Sequence, residues 1–359
     1  MPARAPDRAS AREGQPDRLR LHWQPFRLAL PRPLRTARTL IAEKRGWLLR
    51  LEGRGDTLGW GEASPLDGSL GPLAAAITAL GPLAERQTLE RALPGLPPAL
   101  GFALGAALAE LEGRPRRRWL PAPPPALLLP AGEAALAALD AALAAGPAAG
   151  RAGLDGAAGW PFTCKWKVAS AGDVLERQVL ERLLERLPPE GRLRLDANGG
   201  WDRPTAAAWA ERLRGDPRLE WIEQPLDPED QQGLVALLER CPGLPVALDE
   251  TLQCHPRLRE RWDGWQVRRP SQEGDPRPLL ADLERGRPRL MLSTGFETGI
   301  GRRWLQHLAA LQAEGPTPAA PGLAPGWQAS GGLASADPRL VWRAAVGAGW
   351  AQAAAEGCR

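Results

Sequence analysis

The sequence predicts a parallel α/β domain preceded by a smaller α+β unit. Three observations carry that expectation. From about residue 121, short apolar strands alternate with amphipathic helical text. The polar residues that end those strands recur at roughly one strand–helix interval. The first hundred or so residues read differently, as β-rich text followed by Ala/Leu helices.

In chain order, residues 1–18 are rich in Arg, Ala, Pro and Asp without an apolar run, and a disordered tail is expected there. From His22 to about Gly61 the text is β-rich, and "GWLLRLEGRGDTLGWGE" reads as a hairpin closed by a Gly/Asp turn. Residues 71–112 carry helical patterns interrupted by Pro and Gly. The basic, Pro-rich "GRPRRRWLPAPPPALLLP" marks a domain junction near residue 120. Beyond it, "ALLLP" precedes an Ala/Leu helix. "FTCKWKV" precedes "SAGDVLERQVLERLLERL", in which Ser170 is the expected cap and positions 174, 175, 179, 180, 183, 184 and 187 form one apolar face. "RLRLDA", "LEWIEQ", "PVALDE", "GWQVRR" and "RLMLST" then continue the alternation. A doubly wound sheet and a closed barrel both fit it.

Composition narrows the classes. The 359 residues are 43% hydrophobic with a net charge of +4, enough chain for a sizeable core. Arginines are dispersed among Asp and Glu, which argues against a nucleic-acid surface. Cys164, Cys241, Cys254 and Cys358 show no CxxC spacing and read as reduced thiols of a cytoplasmic protein, with Cys164 a packing residue. The run Ala131–Ala149 is broken by Glu133 and Asp140, so no membrane span is expected.

The last polar residue of each strand is Lys167, Asp196, Glu223, Asp249, Arg269 and Ser293, at separations of 29, 27, 26, 20 and 24 residues. In a parallel sheet all six lie at the same C-terminal rim, and in a barrel that rim converges on one axis. Three carboxylates from successive strands make a hard oxygen site suited to Mg2+. Glu250, beside Asp249, faces either the site or a helix.

The lysines are the other anomaly. Among 46 basic residues only Lys44, Lys165 and Lys167 are lysine, and two of them are two positions apart. Residues i and i+2 of a strand share a face, so Lys165 and Lys167 point inward and Trp166 outward. Two neighbouring, partly desolvated ammonium groups each have reason for a depressed pKa. A lysine so tuned can serve as a general base, whereas arginine cannot.

These residues resemble the enolase superfamily, in its muconate-lactonizing-like branch, and within it the o-succinylbenzoate synthases. "CKWKV" looks like the K-x-K strand of that family. "LRLDANGGW", "WIEQPL" and "VALDET" look like its three metal-ligand strands. "RRPSQEG" matches the sixth-strand pattern, "LSTGFETGIG" the seventh-strand turn, and "WGEASPL" the end of the capping sheet. The resemblance runs from about residue 20 to 330. It implies a (β/α)7β barrel over residues 121–330 and an α+β capping domain over 19–120, with 331–359 packing back on the cap.

By the same resemblance Asp196, Glu223 and Asp249 are expected to ligate Mg2+, with Mn2+ as a substitute. Lys167 is the expected general base, with Lys165 and Arg269 as electrostatic partners. Asn198, Ser293 and Thr294 are expected near the substrate, a small carboxylate, and Arg35 and Thr36 are the cap positions singled out for its choice. The implied reaction is syn-dehydration of 2-succinyl-6-hydroxy-2,4-cyclohexadiene-1-carboxylate to o-succinylbenzoate in menaquinone or phylloquinone biosynthesis, through α-proton abstraction and a stabilised enediolate. One departure bears on it. The family has lysine before the sixth-strand proline, and this chain has Arg269, assigned over Arg268 by its spacing to Pro270 and Gly274. Arginine is a poor proton acceptor, which argues against a dipeptide epimerase or N-acylamino acid racemase, both of which need a base on each face. A non-catalytic carboxylate-binding barrel is the third reading.

Overall fold

Two sheets organise the chain. The computed structural model describes residues 17–35, 40–116, 118–145 and 160–346. Nearly all of the expected tail lies outside those residues, as do Thr36, Cys358, the end of the 331–359 segment and the side chain of Arg35.

The first sheet is antiparallel. Strands β1 (Arg18–Arg35) and β2 (Leu40–Glu52) form a long pair, and β3 (Leu58–Ala63) returns along β2 as the hairpin expected from the Gly/Asp turn. Helix α1 (Leu70–Leu80) leads to β4 (Leu83–Glu85), which pairs with the start of β1 to give the order β3-β2-β1-β4. Helices α2 (Arg86–Ala92) and α3 (Pro98–Leu111) follow, and α3 is buried from Ala99 to Ala109. The alternating glycines of "GWGE" explain how α3 lies so close. A Cβ on Gly59 or Gly61 would stand 2.0 Å from the carbonyl oxygen of Ala107 or Ala103.

The second sheet is parallel and curled, and its strands alternate with helices. In order these are β5 (Leu127–Leu129), α4 (Ala134–Ala144), β6 (Thr163–Lys167), α5 (Asp173–Arg186), β7 (Arg192–Asp196) and α6 (Arg203–Leu213). Then come β8 (Leu219–Glu223), α7 (Gln231–Arg240), β9 (Val246–Leu248) and the short α8 (Glu250–Cys254) and α9 (Leu258–Arg261). The series ends with β10 (Trp265–Arg268), α10 (Arg277–Glu284), β11 (Leu290–Leu292) and α11 (Gly299–Ala313). The sheet order is β11 back to β5 without interruption. Pro321 and Gly322 close the ring. Gly322 bridges Ser293 at the end of β11, and the Pro321 carbonyl accepts from Ala126 N, just before β5.

Period-two alternation divides the strand residues. Cys164, Trp166, Leu195, Ile222 and Leu248 face the helices in one core, and Trp221, Ala247, Val267 and Met291 pack with Ala319 in another, inside the ring. Cys164 is fully buried there, a packing residue. Helix α12 (Pro338–Ala345) returns to the first sheet, where Val341 and Ala345 pack with Phe26, Leu28, Leu48 and Trp60.

Ser170 is not the cap of α5. The helix starts at Asp173 behind Gly172, and the Glu176 carboxylate, from inside the helix, accepts from the amides of Ala169, Ser170 and Ala171 at 2.8–2.9 Å. Val174 and Leu175 correspondingly lie in solvent, and the buried face begins at Val179. Among the described residues no helix is long and apolar enough to cross a membrane.

Candidate active site

The parallel register brings the strand-end groups together. Lys167 stands opposite Asp196, Asp196 opposite Glu223, and Glu223 opposite Ala247. Asp249, Arg269 and Ser293 each follow the last residue of their strand, β9, β10 and β11. Asp196, Glu223 and Asp249 are all buried.

Gln224 holds two of these ends in place. Its side-chain oxygen accepts from Asp249 N at 3.3 Å and Thr251 N at 3.0 Å, and its amide donates to Thr251 Oγ1 at 2.7 Å. The "EQP" of one strand is thereby tied to the "DET" of the next, which fixes Glu223 relative to Asp249.

Lys165 bridges the first two acids. Its Nζ lies 2.7 Å from Asp196 Oδ2 and 2.7 Å from Glu223 Oε1. Burial opposes the ammonium charge, but Asp196, Glu223 and Asp249 outweigh it and hold Lys165 above its ordinary pKa. The expectation that the lysine pair depresses the pKa of both members is corrected here for Lys165, because carboxylates rather than a second ammonium are its neighbours. Lys167 is half-buried and enters no ion pair among the described residues.

Arg269 clamps the third acid. Its Nε donates to Asp249 Oδ1 at 3.2 Å, and Nη1 donates to Ser293 Oγ and to the Thr294 carbonyl, both at 2.9 Å. Burial opposes that charge too, but Asp249 prevails and keeps the guanidinium firmly protonated. Arg268 points elsewhere, with Nε 2.8 Å from Glu273 Oε2. The Thr294 hydroxyl donates to Glu297 Oε2 at 2.7 Å, so only its carbonyl reaches Arg269.

Asn198 adopts a left-handed φ of 45°. Its amide donates to Glu250 Oε1 at 3.1 Å, placing Glu250 on the site side of α8. Burial, then Asp249, Asp196 and Glu223, push Glu250 up to about 8. Burial pushes Glu223 up to about 7 against the pull of Lys165. Below them Arg194, the register partner of Lys165, is fully buried with its guanidinium 4.0 Å from the Trp221 ring centroid and Nε 2.6 Å from Glu220. Sequence reasoning missed Arg194, although its i, i+2 spacing from Asp196 was the available signal.

The donor set is one of hard oxygens. No three acidic, His or Cys groups among the described residues form a ready metal cage, and Lys165 and Arg269 pair with the carboxylates. Glu223 Oε2, Glu250 Oε2 and Asn198 Oδ1 are nevertheless buried without a hydrogen-bond partner. Buried carboxylate oxygens that repel one another and lack donors fit a small hard dication.

A capped parallel barrel with acids on successive strand ends defines a member of the enolase superfamily, and residues 156–261 match the enolase C-terminal domain-like family model. An o-succinylbenzoate synthase from Thermosynechococcus vestitus is 33% identical over 303 residues, covering 81% of this chain and 88% of that one. The crystal structure of an o-succinylbenzoate synthase from Thermosynechococcus elongatus, complexed with Mg in its active site, superposes with a TM-score of 0.75 and 31% identity over 90% of this chain and 99% of that one. A dipeptide epimerase from Enterococcus faecalis, complexed with Mg and a dipeptide, shares the fold at a TM-score of 0.62 but only 19% identity, over 84% of this chain and 89% of that one. The chain belongs to the o-succinylbenzoate synthase family.

Proposed function

We propose that this chain is a carbon–oxygen lyase that dehydrates 2-succinyl-6-hydroxy-2,4-cyclohexadiene-1-carboxylate to o-succinylbenzoate, with Lys167 as its one base. The observation that carries the reading is the asymmetry of the two cations on the rim. Lys167 is free of ion pairs among the described residues, whereas Arg269 is locked on Asp249 and Ser293. Of the two side chains, only an amine has the chemistry of a base, and a guanidinium does not.

Asp196, Glu223 and Asp249 would hold Mg2+, which would supply positive charge to the substrate carboxylate and to the charge that develops on it. Lys167 Nζ accepts the α-proton through its lone pair. The electron pair left on the carbon moves toward the carboxylate, where Lys165 and Arg269 present fixed positive charge, and such preorganised charge is usually the largest catalytic contribution. Lys167 then returns its proton to the hydroxyl leaving from the same face. The C–O bond breaks, water departs and the ring becomes aromatic, with the lysine restored. Ser293 orients Arg269, and Asn198 orients Glu250. Residues 19–120, joined by Val341 and Ala345 of α12 from the 331–359 segment, form the cap over this mouth.

The discriminating experiment offers the chain, with Mg2+ in deuterated water, the cyclohexadiene carboxylate on one side and N-acylamino acids and dipeptides on the other. Formation of o-succinylbenzoate is expected, with no deuterium uptake at the stereocentres of the amino acid substrates. Uptake there without dehydration contradicts the dehydratase and makes the chain an epimerase.

A further inference from the structure

The third lysine belongs to the other sheet. Lys44 is on β2, only 2% exposed, and its Nζ donates to the carbonyls of two consecutive residues, Ser64 and Pro65, at 2.9 Å each. Burial disfavours that charge, and Glu297, Glu62 and Asp67 favour it. An ammonium is a compact point charge with rotatable donors, suited to gathering two carbonyls at one buried point. The segment it gathers is the "SPL" that leaves β3.

The barrel grips the same segment from the other side. Gln272 Nε2 donates to the Ser64 carbonyl at 3.0 Å, and Gln272 Oε1 accepts from Leu66 N at 3.0 Å. Gln272 sits in the turn that follows Arg269 and also donates to Ser271 Oγ at 3.1 Å. Ser271 donates to Glu297 Oε1 at 2.6 Å, and Glu297 accepts the Thr294 hydroxyl and Gly295 N. Glu62, beside this network, accepts from Thr298 N and Gly301 N at the start of α11. The cap segment is therefore stapled to the two barrel turns that carry Arg269 and Ser293–Thr294.

We propose that Lys44 is a positioning residue that, with Gln272, holds the Ser64–Leu66 segment of the cap against the barrel mouth and so sets the affinity for substrate. The inference rests on the dehydratase reading above. Lys44 touches neither the reacting atoms nor any group assigned to them. A segment that frames the mouth without touching the reacting atoms acts alike on bound substrate and transition state, so loosening it is expected to raise KM while leaving kcat in place.

The test is steady-state dehydration of the cyclohexadiene carboxylate by the intact chain, by Lys44→Met, by Gln272→Leu and by the double variant, with Tm measured on each. Each single variant is expected to raise KM about 10-fold, with kcat within roughly 3-fold of the parent. The double variant is expected to be less than additive, because both side chains hold the same three-residue segment and share the Ser64 carbonyl. An unchanged KM in both single variants overturns the proposal. So does a fall in kcat and Tm at constant KM, the pattern of a purely structural residue. Should Lys44→Met fail to fold, the KM of Gln272→Leu decides between these outcomes alone. A parent chain without dehydratase turnover defeats the underlying reading, a result separate from any difference among variants.

Discussion

Replacing Lys167 by alanine removes the only rim amine outside an ion pair among the described residues. Turnover is expected to fall by about 10³-fold or more in kcat, with the folded state intact, because a positioned general base is lost. Steady-state kinetics beside a circular dichroism spectrum check it. Arg269→Lys is expected to behave differently. The charge beside Asp249 survives, the fork that also reaches Ser293 and the Thr294 carbonyl does not, and dehydration persists within roughly 10-fold. A loss of about 10³-fold in that variant would show that the guanidinium does more than supply charge. That these groups gather at one rim was legible from spacing, since strand-end polar residues one strand–helix unit apart have one place to go in a parallel ring, whereas their roles came from the family resemblance. The state of Lys165 was not legible. Its carboxylate partners come from β7 and β8, Glu223 being 58 residues away in sequence. Whether a buried lysine meets an ammonium or a carboxylate is decided by packing across strands.

Elements were legible where a period extended over several turns and obscure where one residue acted alone. The face of α5 from Val179 onward follows the apolar spacing, but the start of the helix does not follow the serine before it. A carboxylate reaching back from the fourth helical residue satisfies three amides at once, which a single Ser170 hydroxyl could not. Strand β4 and the Pro321–Gly322 closure were similarly hidden, being too short to show alternation. Glu176→Ala is expected to cost about 3 kcal/mol by stranding those amides, visible as a lower urea midpoint at unchanged slope. It should also lower turnover, because the loop it holds begins directly after Lys167. Glu176→Gln, which keeps an acceptor, should recover part of both.

At the scale of the whole molecule helix α3 serves both sheets, with Leu104, Ala107 and Leu108 packed on the first and Phe102, Ala106 and Ala109 packed among α10 and α11 of the second. The molecule's thiols report on its packing. Burial pushes Cys164 up to about 12, so at about pH 8 it stays protonated, whereas Cys254 is exposed. Alkylation of the folded chain followed by peptide mapping should label Cys254 and spare Cys164 and Cys241, both buried. Labelling of Cys164 should appear only with global unfolding, because Trp166 and Leu193 belong with it to the core between the parallel sheet and its helices. Early labelling of Cys164 at native conditions would mean that β6, the lysine strand, opens by itself.

The measurement that reaches the dehydratase assignment most directly is the loss of diene absorbance when the purified chain meets 2-succinyl-6-hydroxy-2,4-cyclohexadiene-1-carboxylate, first with Mg2+ and then with EDTA. Rapid loss is expected, stopping when the metal is removed and resuming when it is restored. Unchanged absorbance in a chain with Mg2+ demonstrably bound would contradict the assignment.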